Sequence, residues 1–218
     1  MSQAGSVYVV GDIHGCMEPL RTLMARVAPG PADRLVFIGD YIDRGPDARG
    51  VVEYLLGLPG RPTFLLGNHD QMLLDALDTG DLSLWFANGG EATLASYGGE
   101  VGRIPPTHRA FFRSLVPHAE IEGFVFVHAG IRPGIPLCEQ SLDDLLWIRE
   151  EFFDSSARFE RTVVFGHTPL REVFLGRDRI GIDTGCVYGG KLTCLKLPGR
   201  EVVQVPGRRQ RRIMSYEL

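Results

Sequence analysis

The chain has 218 residues, of which 44% are apolar and 23% charged, and it carries a net charge of −4 at neutral pH. At roughly 150 residues per domain this predicts one globular domain able to build its own core, and it excludes a disordered tail, a collagen and a disulfide-held miniprotein. The mild negative balance gives no reason to expect nucleic acid or an anionic membrane as a partner. No apolar run nears the roughly 18 residues of a membrane span, and Met1 to Ser6 lack the basic-then-apolar layout of a signal peptide, so the expectation is a soluble, cytoplasmic protein.

Short apolar runs alternate with helical patterns. Val7–Val10 reads as a strand, after which Leu20, Leu23, Met24 and Val27 keep a helical spacing. Leu35–Ile38 is a second strand, followed by Val51, Val52, Leu55 and Leu56 on a helix capped at Asp47. Thr63–Leu66 is a third, with Met72, Leu73, Ala76 and Leu77 as the next helix. The stretch 81–106, rich in glycine and aromatics, reads as a loop or small cap over one edge of the same domain. Thr107 is expected to cap a helix burying Phe111, Phe112 and Leu115. Phe124–Val127 is a fourth strand, and Ser141 with Asp144 forms a capping box ahead of Leu145, Leu146 and Ile148. Thr162–Phe165 is a fifth, and Arg179–Thr184, Lys191–Leu197 and Glu201–Val205 are three more.

The first five runs are continuous rather than alternating, as strands buried on both faces are. Alternation early and clustered strands late predict a layered α/β sandwich with mixed sheets, one domain over residues 1–206. Residues 207–218, with Arg208, Arg209, Arg211 and Arg212, read as a basic solvated tail rather than a contact for an anionic partner. Cys16, Cys138, Cys186 and Cys194 show no C-x-x-C spacing and are expected to be reduced and buried. A turn at Gly189-Gly190 would pair Cys186 with Thr193 and put Cys194 on the other face. Cys194 to Arg200 fits a C-x5-R spacing, but the residues between read as strand, with no helix start to cradle a phosphate.

The chemistry collects where the five strands end. These ends carry Gly11-Asp12-Ile13-His14-Gly15, Gly39-Asp40-Tyr41-Ile42-Asp43-Arg44-Gly45, Gly67-Asn68-His69-Asp70, His128-Ala129-Gly130 and Gly166-His167-Thr168. Ligands of α/β sheets bind beyond the carboxyl ends of the strands, so five polar clusters there can converge. Each alone is a common cap or turn; five together are hard to explain that way. His108 and His118 lie outside the clusters and read as ordinary histidines.

This motif set, in this order, resembles the metallophosphoesterase superfamily and, within it, the phosphoprotein phosphatase family. The signatures G-D-x-H-G, G-D-x-x-D-R-G and G-N-H-[ED] are all present, and the likeness runs from Val7 to Leu197. It is nearest to the short bacterial and phage lambda-type serine/threonine phosphatases, with Trp147-Ile148-Arg149 on a late helix, Asn88-Gly89-Gly90 in the cap stretch and Asp183-Thr184-Gly185. The resemblance implies a calcineurin-like α-β-β-α sandwich holding two divalent cations, manganese first, with iron or zinc as options. It places Asp12 and His14 on the first cation, Asp40 between the two, and Asn68, His128 and His167 on the second. A bridging hydroxide is then the implied nucleophile. His69 is implied as the general acid, paired with Asp43, and Arg44 and Arg149 as the grip on the phosphoryl oxygens; Asp70 is implied as a supporting residue and not a ligand.

The implied activity is phosphomonoester hydrolysis by a serine/threonine, or dual-specificity, protein phosphatase. The rivals are a dinucleoside tetraphosphatase or other small phosphodiesterase on the same scaffold, and a pseudo-phosphatase binding module. Symmetrical diadenosine tetraphosphatases typically carry Ala where Asp43 stands, which favours the first reading, while the intact ligand set argues against a module without activity. The substrate is a phosphoprotein or a small phosphate ester. Long eukaryotic relatives carry a further C-terminal segment, so no obligate regulatory subunit is implied here.

Overall fold

A computed structural model of the chain describes residues 5–208, so the tail expected at 207–218 lies almost wholly outside the described residues. The first half runs β1 (Val7–Val10), α1 (Met17–Val27), β2 (Arg34–Phe37), α2 (Ala48–Leu56), β3 (Thr63–Phe64) and α3 (Asn68–Thr79). Three helices follow, α4 (Ser83–Ala87), α5 (Gly90–Ser96) and α6 (Pro106–Arg113). The second half runs β4 (His118–Ile121), β5 (Phe124–Val127), α7 (Leu142–Trp147), α8 (Glu150–Phe153), β6 (Thr162–Phe165), β7 (Phe174–Leu175), β8 (Arg179–Gly181), β9 (Lys191–Leu197) and β10 (Glu201–Pro206).

The strands form two mixed sheets, ordered β10-β9-β1-β2-β3 and β4-β5-β6-β8-β7. In the first, β1 is parallel to β2 and antiparallel to β9; in the second, β5, β6 and β8 are parallel and the edge strands β4 and β7 run against them. Strand β1 shows why its apolar run is unbroken. Val7 and Val9 pack between the sheets with Val36, Ile38, Phe126 and Val164, while Tyr8 and Val10 pack against Leu20, Leu23, Val51 and Leu73 of α1, α2 and α3. On the far side, Val125, Val163 and Phe165 pack under Leu145, Ile148 and Phe152 around α7 and α8. Helix, sheet, sheet and helix therefore stack as four layers, each fully buried Val, Leu, Ile or Phe contributing about 1.5–3 kcal/mol.

Several local expectations change. The 81–106 stretch is largely helical, holding α4, α5 and a 3-10 turn at Val101–Arg103, because Trp85, Tyr97 and Ile104 are buried against the helices beneath. Thr107 lies inside α6; Pro105 stands at the cap and Pro106 opens the helix, where a missing N–H costs nothing. Strand β8 stops at Gly181, and Cys186–Tyr188 is a 3-10 turn between left-handed Gly185 and Gly189, so Cys186 has no cross-strand partner and Lys191 faces Thr184 instead. All four cysteines are free, and Cys138 is exposed rather than buried. Strands β4 and β7 are short edge strands: β4 mixes His118 and Glu120 with apolar residues, and β7 is two exposed residues, Phe174 and Leu175. Asp47 caps α2 through Gly50 N–H at 2.8 Å, and the Ser141 hydroxyl caps α7 by accepting the Asp144 N–H at 3.0 Å, as expected.

Candidate active site and metal centre

Five chain segments leave the carboxyl ends of β1, β2, β3, β5 and β6 and turn sharply together. His14, Asp40, Asp43, Arg44 and His167 all take left-handed backbone angles, with φ of 46°, 53°, 70°, 68° and 61°. For residues with a Cβ that conformation is strained, and such strain gathers at functional sites. Gly39 makes the crossing possible: at φ +100° an added Cβ would sit 2.7 Å from Gly67 Cα and 2.9 Å from Nδ1 of His128.

The imidazoles are oriented from behind by backbone carbonyls. His128 Nδ1 donates to the Ile38 carbonyl and His14 Nδ1 to the Ile42 carbonyl, each at 2.8 Å. Both rings therefore point a bare Nε2 inward. His128 Nε2 lies 2.9 Å from Asn68 Oδ1 and 3.5 Å from Asp40 Oδ1, and His14 Nε2 lies 3.4 Å from Asp40 Oδ2. His167 Nδ1 is 3.0 Å from the same Asn68 oxygen, and its Nε2 is buried without a partner. Burial holds all three rings below the ordinary imidazole range, His167 at about 2, so they are neutral. His128 thus turns an unprotonated Nε2 toward the Asn68 and Asp40 oxygens, and this gathering of imidazole nitrogens with carboxylate and amide oxygens is a donor set that suits divalent cations.

Two compact groups result, His14–Asp40–His69 and Asp40–His128–His167, with Asp40 common to both. Asn68 joins the second through its amide oxygen. Asp12 stands beside them, its carboxylate accepting the His167 backbone N–H at 3.1 Å. Burial, then the nearby charges of Asp183 and Asp40, pushes the Asp12 carboxyl well up. Asp183 is likewise pushed up to about 6 by burial. A buried group of carboxylates in which Asp12 and Asp183 stand outside any ion pair with Lys, Arg or His among the described residues fits bound positive charge. The sequence expectation had no role for Asp183; its place just after β8, where a Cβ added at Gly11 would meet the Ile182 carbonyl oxygen at 2.9 Å, was not readable from spacing.

Next to the donor groups, His69 Nδ1 meets Asp43 Oδ2 at 2.7 Å, both residues almost wholly buried. Oδ1 of Asp43 accepts from Trp85 Nε1 at 2.9 Å and from the Thr93 hydroxyl at 2.7 Å, two partners that sequence reasoning missed. Arg44 reaches His14 Nε2 at 2.8 Å and lies over the Tyr188 ring, 5.6 Å from its centroid. Arg149 is not on a helix: α7 ends at Trp147 and Arg149 stands at the start of α8, with φ −131° and ψ −97°. That break turns its guanidinium inward, where Nη1 donates to the Thr168 hydroxyl at 3.2 Å, beside His167. Trp147 is edge-on to the His167 ring at 5.9 Å. Asp70, in the first turn of α3, receives the backbone N–H of Asp40 at 2.9 Å and so supports the centre without joining it.

Residues 5–196 match the family described as calcineurin-like phosphoesterase. The chain is a calcineurin-like metallophosphoesterase. It is 32% identical over 199 residues to serine/threonine-protein phosphatase 1 of Salmonella typhimurium, a match spanning 88% of this chain and 91% of that protein. It is 28% identical to the symmetrical bis(5'-nucleosyl)-tetraphosphatase of Legionella pneumophila, spanning 92% of this chain and 96% of that one. A crystal structure provisionally named a diadenosine tetraphosphatase superposes with a TM-score of 0.78 at 32% identity, covering 96% of each chain. As a metallophosphoesterase the chain is a hydrolase of phosphoric ester bonds with the layered fold expected from its motifs, and the family implies a centre of two metals. No helix among the described residues is long and apolar enough to cross a membrane.

Proposed function

We propose that this metallophosphoesterase is a phosphomonoesterase of the serine/threonine protein phosphatase kind. The observation that carries the reading is the buried pair of His69 and Asp43 at 2.7 Å. A seryl or threonyl alkoxide is a poor leaving group and departs readily only if it is handed a proton. A nucleotide leaving from a phosphoanhydride is already a stable anion and needs none. A site that spends two buried residues on a proton donor is suited to the first task.

In this reading Asp12, His14 and Asp40 hold one divalent cation, and Asp40, Asn68, His128 and His167 hold the other. Oxygen and imidazole donors without thiolate suit manganese, with iron or zinc as alternatives. The two cations, when bound, polarise the phosphoryl group and acidify water. Arg44 and Arg149 grip the non-bridging oxygens and offset the charge that builds up on them. His69 delivers a proton from Nε2 to the departing oxygen, while Asp43 fixes the ring through Nδ1 and pairs with its positive form.

The likeness to a Legionella tetraphosphatase keeps dinucleoside tetraphosphates as the rival substrate. With manganese present, kcat/KM for phosphoseryl and phosphothreonyl peptides is expected to exceed that for diadenosine tetraphosphate. The opposite order would make the chain a nucleotide hydrolase. Absence of turnover on p-nitrophenyl phosphate as well would leave a binding protein.

A further inference from the structure

The two oxygens of Asp43 are used differently. Oδ2 belongs to His69, whereas Oδ1 takes two donors, Trp85 Nε1–H at 2.9 Å and the Thr93 hydroxyl at 2.7 Å. The direction of each bond is fixed. An indole nitrogen only donates. The Thr93 oxygen accepts the backbone N–H of Asp43 at 2.8 Å, and its single proton then goes to Oδ1. Trp85, Thr93 and Asp43 are all at most 1% exposed, so water does not compete for these bonds. Trp85 lies on α4 and Thr93 on α5, and between these helices the Gly89 carbonyl accepts the backbone N–H of Arg44 at 3.1 Å. The segment from Ser83 to Ser96 thus grips the β2 turn at both Asp43 and Arg44.

We infer that the α4–α5 segment is a clamp on the acid pair, with Trp85 and Thr93 as positioning residues that fix the plane of the Asp43 carboxylate and reserve Oδ2 for His69. The inference rests on the reading of His69 as the proton donor. A carboxylate held by two charge-assisted bonds at one oxygen cannot swing that oxygen toward the ring, so Nδ1 meets one acceptor in one direction and Nε2 is aimed with it. A purely structural role, satisfying a buried carboxylate, would not single out the proton-transfer step.

Leaving-group dependence separates the two. Phenyl phosphate needs a proton on its departing oxygen far more than 2,4-dinitrophenyl phosphate does. Rates on both are measured with the manganese-loaded full chain for wild type, Thr93→Val, Thr93→Ser, Trp85→Phe and His69→Asn, with bound manganese and melting temperature read in parallel. The ratio of the dinitrophenyl to the phenyl rate is expected to rise by about tenfold in Thr93→Val and in Trp85→Phe, a part of the roughly 10²–10⁴ that a general acid supplies. It should stay within about twofold of wild type in Thr93→Ser, which keeps the hydroxyl, and manganese content should hold throughout. If Thr93→Val does not fold, the ratio in Trp85→Phe decides. Equal slowing of both substrates, or none, overturns the clamp. A raised ratio in His69→Asn with unchanged ratios in the clamp variants overturns the clamp alone; an unchanged ratio in His69→Asn removes the acid assignment and the clamp with it.

Discussion

Asp70 holds Asp40 from behind: its Oδ2 accepts the backbone N–H groups of Asp40 at 2.9 Å and Gly67 at 3.0 Å, and its Oδ1 that of Tyr41 at 3.3 Å. The carboxylate shared by both donor groups is thereby tied to the first turn of α3. Asp70→Asn replaces one acceptor oxygen by a donor facing N–H groups. Manganese affinity of the variant, titrated calorimetrically into the metal-free chain, is expected to fall by about 10–100-fold, the usual cost of losing a support behind a ligand. Unchanged affinity would show that the Asp40 backbone holds itself.

Asp40→Asn and His69→Asn should both leave the far-ultraviolet circular dichroism intact and cut turnover of a phosphoseryl peptide by at least about 100-fold. They should differ in metal content. Asp40→Asn removes a charge common to both groups and should lose manganese, whereas His69→Asn should keep it. Near-normal turnover in both would end the proposed roles.

Chelation should abolish turnover, and returning manganese should restore it. Manganese that binds the folded chain and not the unfolded one stabilises it by mass action, by about 2.7 kcal/mol per site at a hundred times the dissociation constant. The melting temperature should therefore climb with manganese concentration, and a flat response would argue against resident cations.

His108 gives a pH dependence away from the centre. It is 4% exposed, its Nδ1 meets the Tyr97 hydroxyl at 2.7 Å, and burial holds it below the ordinary imidazole range. Above about pH 6.5 the folded and unfolded chains both leave it neutral; below that value the unfolded chain takes a proton that the folded chain refuses. Stability is therefore complete above about pH 6.5 and declines as pH falls. Urea midpoints of the metal-free protein should drop between pH 7.5 and pH 5.5, and His108→Gln should show a smaller drop. An equal drop in the variant would assign the effect to other groups.

What the sequence disclosed depended on how each feature was buried. Val7–Val10 and Phe124–Val127 were legible because both faces of the strand are covered, which forces an unbroken apolar run. His118–Ile121 was not, because an edge strand half in solvent keeps no such run, and Phe174–Leu175 was not, because two residues are too few to show a period. The donor residues stood out since each lies just past an apolar run, all but His128 next to a glycine. Trp85 and Thr93 did not: α4 has 5 residues and α5 has 7, too few for a helical period to declare itself, and they reach Asp43 across 42 and 50 positions. The break that places Arg149 between α7 and α8 was not legible either, because Trp147-Ile148-Arg149 continues the apolar pattern of a helix without a glycine or proline to end it.

The bent strand ends of the first two motifs are locked by bonds internal to the chain, His14 N–H to the Asp40 carbonyl at 2.8 Å and Gly15 N–H to the Tyr41 carbonyl at 2.9 Å among them. Folding itself therefore writes the curvature of this cradle, and swapping one divalent ion for another asks for no redrawing of the main-chain path. Discrimination among ions is then left to donor softness and to which ion the surroundings provide.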